Sequence, residues 1–157
     1  MSAITSWFTS VPLDWIILAA FGAIVTIDAI RSGTTRATAL ALALPVAAFL
    51  LTLSGSTAFI GPITSASEMT QAIAFLALTV AVFVLAYRGM GYGDEGSPLQ
   101  SVMAGVGTTV IAISVWVSTD VLRTMWDFSP SIDAVFGSAY AVFWIVGGLV
   151  VVTLSRR

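Results

Sequence analysis

The chain has 157 residues, of which 58% are hydrophobic and 9% charged, with a mean hydropathy of +1.02 and a net charge of −2. Cys, His and Lys are absent, which excludes disulfides, metal or haem ligation through Cys or His, thiol nucleophiles, histidine general bases and lysine Schiff bases, retinal pigments among them. Whole stretches of roughly 18 to 21 residues are apolar all round, the length that crosses a hydrocarbon layer of about 30 Å.

Residues 1–157 therefore read as a single integral membrane domain, an all-α polytopic transmembrane helix bundle. The six basic residues are all Arg and form no basic patch, so nucleic acid is not an expected partner. No catalytic, cofactor-binding or metal-ligating residue is expected. The lipid bilayer is the partner that the composition implies, in a bacterial or archaeal cytoplasmic membrane.

Five spans follow in chain order. The first covers about 13–30, entered through "SVPLD", with Ser10 as N-cap, Pro12 in the opening turn and Asp14 at the positive end of the helix dipole. The second, 37–54, contains Pro45, which removes one backbone donor and tends to bend a span. The third, 69–87, follows "SASE", where Ser65 and Glu68 have capping-box spacing. The fourth, 98–119, has the clearest start: Ser97 caps, Pro98 fits the first helical position and Gln100 stands three residues after the cap. The fifth, 133–154, has Ser131 as candidate cap and Asp133 in its first turn. Four spans remain an alternative if one is re-entrant or lies on the surface.

Short cytoplasmic loops keep positive charge. With the N-terminus outside and the C-terminus inside, Arg31, Arg36, Arg88, Arg156 and Arg157 fall inside and only Arg123 outside. The first span is not expected to be a cleaved signal peptide, because its charges come after the apolar run. Asp28, Arg31 and Arg36 then sit in the first cytoplasmic hairpin. Asp28 is three residues before Arg31, so the two share a helical face and are expected to pair, with the guanidinium snorkelling to the head groups. A charged hairpin that fixes insertion is the plain reading, and an intramembrane acid on a cation or proton path is the alternative.

The run "LDWIILAAFGAIVTIDAIRSGTTRATALALALPVAAFLL" resembles the amino-terminal hairpin of the bacterial colicin V production protein family. That pattern has an Asp opening an apolar helix, an Arg-Gly element at its cytoplasmic end and a second Arg opening the next helix. The matching residues are Asp14, Arg31 with Gly33, and Arg36. The likeness extends more weakly to "QAIAFLALTVAVFVLAY" and "SPLQSVMAGVGTTVIAISVWV". Ser32 separates Arg31 from Gly33, Ala37 stands where an acid often follows the second Arg, Leu99 and Gln100 replace an Asp-Arg pair, and the fifth span is additional. The resemblance implies a small inner-membrane protein associated with toxin export and envelope maintenance.

"GYGDEG", residues 91–96, matches a dinucleotide fingerprint by letter only, since it follows a membrane span and holds Asp94 and Glu95, which repel a pyrophosphate. Gly89, Gly91, Gly93 and Gly96 read instead as a flexible turn. Ser101 with Gly105 and Gly137 with Ala141 are small-xxx-small pairs, and Ala37, Ala41, Pro45 and Ala48 form a flat stripe. These surfaces suit either packing within the bundle or a homo-oligomer interface. "STDVLRTMWDFSPS" places Val121, Leu122, Met125 and Trp126 on one face of a short interfacial helix. Trp7, Trp15 and Trp126 fit an aromatic belt, whereas Trp116 and Trp144 read as packing residues.

Three function classes are open: a non-enzymatic envelope-maintenance or toxin-export partner, a small oligomeric channel or holin-like pore, and a structural protein of a virus or larger membrane complex. A pore needs a water-lined face, for which Thr26, Thr79, Thr108, Thr109, Ser114 and Ser118 are the candidates. An intramembrane hydrolase is disfavoured: Asp14 and Asp28 stand 14 residues apart, about 21 Å of helix rise, too far for a dyad.

Overall fold

The computed structural model describes residues 12–57, 61–64, 67–91 and 97–156. Ser10, Trp7, Ser65, Gly93, Asp94, Glu95, Gly96 and Arg157 lie outside the described residues. The described elements are all helical: α1 (Leu13–Ser32), α2 (Thr34–Ser54), α3 (Gly61–Thr64), α4 (Glu68–Met90), α5 (Pro98–Ser118), α6 (Asp120–Met125), α7 (Pro130–Phe136) and α8 (Ala141–Leu154). By length and apolarity, α1, α2, α4 and α5 can each cross a bilayer, and the bent pair α7 and α8 makes a fifth if the two form one span, so the count is four to five. Large apolar side chains lie exposed along α1, α4 and α8, among them Ile24, Leu85 and Phe143. That surface is fit for lipid and not for water. The protein is an integral membrane helix bundle.

Helix ends follow local chemistry. Ser97 accepts from the Gln100 amide (3.3 Å) and its own amide donates to Gln100 Oε1 (2.6 Å), which is the capping box that the sequence predicts. At the head of α4 the cap is Ser67, which accepts from the Thr70 amide, so Glu68 is the first helical residue and not the far half of a box. Pro12, without a side-chain cap bond, occupies the N-cap position of α1. The loop expected between the first two spans shrinks to one residue: α1 ends at Ser32, α2 begins at Thr34, and Gly33 has φ of 81°. Only glycine adopts that conformation without strain, and Arg31 and Arg36 consequently lie on helices.

The expected continuous fifth span is corrected. α7 and α8 meet at 66° across residues 137–140. The Gly137 backbone turns out of helical geometry (ψ 166°) in a Gly-Ser pair of low helix propensity. Ending the helix there removes the donor that the Val135 carbonyl would find four residues on, and Trp144 Nε1 donates to that carbonyl instead (2.6 Å). Trp144 therefore satisfies backbone at the break and also packs against the Phe136 ring at a tilt of 44°. The cap of α7 is Ser129 and not Ser131.

α5 is the hub, packed against α1, α2 and α8, while α4 lies against α2. Lipid tails are as apolar as leucine, so association in the bilayer depends on close backbone approach. A Cβ at Gly105 would stand 2.6 Å from Thr26 Cα of α1, and one at Gly107 would stand 2.9 Å from the Gly148 carbonyl oxygen of α8. Thr108 Oγ1 lies within hydrogen-bond distance of both the Ala37 carbonyl of α2 (3.0 Å) and the Ala104 carbonyl of its own helix (2.8 Å). Ala29, Ala37 and Ala104 join α1, α2 and α5 near the hairpin. The wider core gathers Ala41, Leu51, Phe75, Ile111, Val115 and Val152.

Adjacent glycines of α8 make a matched pair. A Cβ at Gly148 would meet Ile111 Cγ1 at 2.6 Å and the Gly107 carbonyl at 2.9 Å, whereas one at Gly147 would meet nothing within 4 Å. Gly148→Ala is expected to lower stability by about 1–3 kcal/mol through overpacking against backbone. Gly147→Ala is expected to be neutral or to stabilise by up to about 1 kcal/mol. Thermal unfolding of the two variants in one detergent checks the contrast.

Candidate functional site

Polar side chains concentrate at the two ends of the bundle. At the hairpin end, residues 28 and 32 lie one turn apart on α1 and carry a carboxylate and a hydroxyl, and residue 36 in the first turn of α2 carries a guanidinium. Arg36 Nη1 donates to Asp28 Oδ1 (3.2 Å) and to Ser32 Oγ (2.8 Å), and Ser32 Oγ donates to Asp28 Oδ1 (3.2 Å). A closed three-member clasp thus spans the Gly33 turn. Sequence reasoning expected Asp28 to pair with Arg31. The structure corrects this: Asp28 pairs with Arg36, and Arg31, exposed in the last turn of α1, has no ion pair among the described residues. The one-residue turn brings the first turn of α2 back over the α1 terminus, so the carboxylate finds a cation across the turn before one on its own helix.

The Asp28 and Arg36 side chains are 47% and 45% exposed. An ion pair this wet contributes at most about 1 kcal/mol. It joins the two helix ends across Gly33 and leaves Arg31 as the cation of the hairpin that the clasp does not neutralise. Gly33 is the pivot, and Asp14, the remaining residue of the family-like pattern, lies at the far end of α1.

There Asp14 Oδ2 accepts from the Ser129 amide (2.7 Å), and Trp15 Nε1 donates to Ser131 Oγ (3.0 Å), tying the start of α1 to the start of α7. Arg123 donates to Asp133 (2.7 Å) and more distantly to Asp127 (3.5 Å), tying α6 to the same segment. The sequence reading gave Asp14 to the helix dipole and left Arg123 as the exception to the charge rule. The available signal for their roles was the pair of acids, Asp127 and Asp133, four and ten residues after Arg123.

The packing candidates divide. Ser101 and Gly105 are buried, with Gly105 facing α1. Gly137 and Ala141 straddle the break and do not form one helical pair. The close approach that sequence reasoning missed is Gly107 against Gly148. Of the candidate pore-lining hydroxyls, Thr79, Thr108, Thr109, Ser114 and Ser118 each have a backbone carbonyl of their own helix within hydrogen-bond distance. Among the described residues, no three acids converge as a metal site. In comparisons with family models, curated proteins and solved structures, the chain has no match.

A double-mutant cycle separates the two carboxylate partners. Asp28→Asn with Arg36→Ala is expected to show a coupling of about 0.2–1 kcal/mol in unfolding free energy, and Asp28→Asn with Arg31→Ala none.

Proposed function

We propose that this chain is a non-enzymatic membrane protein of the colicin V production type, acting as an envelope-maintenance or toxin-export partner in a bacterial cytoplasmic membrane, with the N-terminus outside. The observation that carries this reading is the clasp at the hairpin, Asp28 with Ser32 and Arg36 around Gly33. It includes Arg36 and spans Gly33, two of the residues through which the chain resembles that family, and it gives a role to Ser32, one of the departures from the pattern. Ser32, inserted between Arg31 and Gly33, supplies the hydroxyl that joins acid to guanidinium. What remains free to meet a cytoplasmic partner or an anionic head group is Arg31.

The channel reading is weaker on the same observations. A water-lined face needs hydroxyls directed away from their helices, and Thr79, Thr108, Thr109 and Ser114 are buried with carbonyl partners. The charged hairpin suits a docking element that positions charge at the membrane surface.

The test is complementation of a bacterial strain that makes colicin V and lacks its own colicin V production protein. Wild-type chain is expected to restore toxin in the medium, and Arg31→Ala or Arg36→Ala to abolish restoration at equal membrane abundance. Toxin that stays in the cells with wild-type chain present, or full activity in both arginine variants, contradicts the proposal.

A further inference from the structure

At the end of the bundle away from the hairpin, α2 and α5 finish and α4 and α6 begin around an open pocket of about 430 Å³. One wall is apolar, with Ala48 and Phe49 of α2 and Val121 of α6. The rest is largely polar and includes Thr52, Gln71, Ser118, Thr119 and Asp120. Unlike Arg123, which Asp133 and Asp127 hold, Asp120 has no ion pair among the described residues, and the Gln71 side-chain amide has no hydrogen-bond partner among them.

The lining is rich in acceptors. Thr52 Oγ1 donates to the Ala48 carbonyl (3.0 Å), and Ser118 Oγ (3.3 Å) and Thr119 Oγ1 (2.6 Å) both donate to the Val115 carbonyl. With their protons committed, these hydroxyls have only lone pairs left to offer a ligand. Gln71 adds an amide oxygen and Asp120 a carboxylate. The helix ends carry the same sign. α2 and α5, each of 21 residues, bring the negative ends of their dipoles to the pocket through Leu51, Gly55 and Ser118. The positive ends of α4 and α6, which start there, each hold an acid in the first turn, Glu68 and Asp120. Among the described residues, no basic side chain lines the pocket.

An acceptor-rich pocket of negative potential is complemented by a cation that brings hydrogen-bond donors. A calcium ion takes about 6–8 oxygen ligands, whereas a single carboxylate lines this pocket, and its volume lies within the range of about 300–1,000 Å³ typical of organic ligands. A primary ammonium has three donors and no acceptor, and the wall of Ala48, Phe49 and Val121 suits an aliphatic body.

We infer that this pocket binds a primary ammonium carried on an aliphatic body, with the ammonium held by Asp120 and Gln71. The inference is independent of the export reading, since it uses neither the hairpin nor its clasp.

The chain has two glutamines and no asparagine, so glutamine side-chain amides report by NMR on Gln71 in the pocket and on Gln100 in the capping box at the opposite end. The test follows both in the full chain in detergent as n-butylammonium, standing for a soluble amine, or short-chain phosphatidylethanolamine, standing for a lipid, is added. At least one of the two is expected to shift Gln71 saturably while Gln100 stays in place. It is expected to bind about two- to fivefold more tightly than its trimethylated counterpart, n-butyltrimethylammonium or phosphatidylcholine, the range that one exposed ion pair supports. Asp120→Ala, at an exposed position, is expected to weaken binding about two- to fivefold. Asp127→Ala removes an exposed acid of the same end that does not line the pocket and is expected to leave binding unchanged. Equal shifts of Gln71 and Gln100, no preference over the trimethylated counterparts, calcium shifting Gln71 at lower concentration than either amine, or unchanged binding in Asp120→Ala overturns the inference.

Discussion

In a bilayer no hydrophobic force separates one helix face from another, so what holds this molecule together is how closely its backbones can approach. The segment "GVGT" of α5 solves that problem within one turn. At 3.6 residues per turn, position 107 points about 160° away from 105 and about 100° away from 108, while 105 and 108 stand about 60° apart. Gly105 admits α1, Gly107 admits α8 and Thr108 reaches the Ala37 carbonyl of α2. Dispersion contacts between backbones at such distances are individually small and collectively large. The remaining described span, α4, attaches to α2, where Phe75 joins the shared core.

The polar groups follow from the same solvent. Hydroxyls within the spans bond to carbonyls, mostly of their own helices, and indole nitrogens cover backbone at the irregular end: Trp116 on the Trp126 carbonyl and Trp144 on that of Val135. Ionised groups are confined to the two ends, where they organise chain segments. At the hairpin they lock a single-residue turn, and at the other end they fasten α1 and α6 to the broken fifth span. The clasp leaves Arg31 without an ion pair among the described residues, and at the far end the Asp127 side chain is exposed.

Much of this was legible in the sequence because bilayer thickness constrains span length and cap residues mark helix starts. The fourth span was read to within a residue, since Ser97, Pro98 and Gln100 are local signals that depend on no tertiary neighbour. The fifth was misread because its break turns on the Gly137 backbone and on an indole nine residues from the carbonyl it serves, which hydropathy does not register. The partner of Asp28 was missed for a related reason. Helical spacing favours Arg31, but whether Arg36 can reach depends on how many residues the turn consumes, and one glycine with positive φ makes it reachable. Gly105 was visible as part of a spaced small-residue pair, whereas Gly107 and Gly148 stand on different spans and are joined only by the crossing of α5 and α8.

The arrangement of α1 on α5 tests the account most directly. A Cβ built on Gly22 lies 3.8 Å from Thr109 Cβ, close to the mean separation of about 3.8 Å across a disulfide, and the chain has no cysteine of its own. Gly22→Cys with Thr109→Cys, oxidised in membranes with a lipid-permeant catalyst, is expected to form an intrachain crosslink in most molecules. Gly22→Cys with Gly89→Cys is expected to form none. Absence of the 22–109 crosslink in folded protein, or equal crosslinking of the two pairs, would contradict a bundle built on glycine-mediated approach to α5.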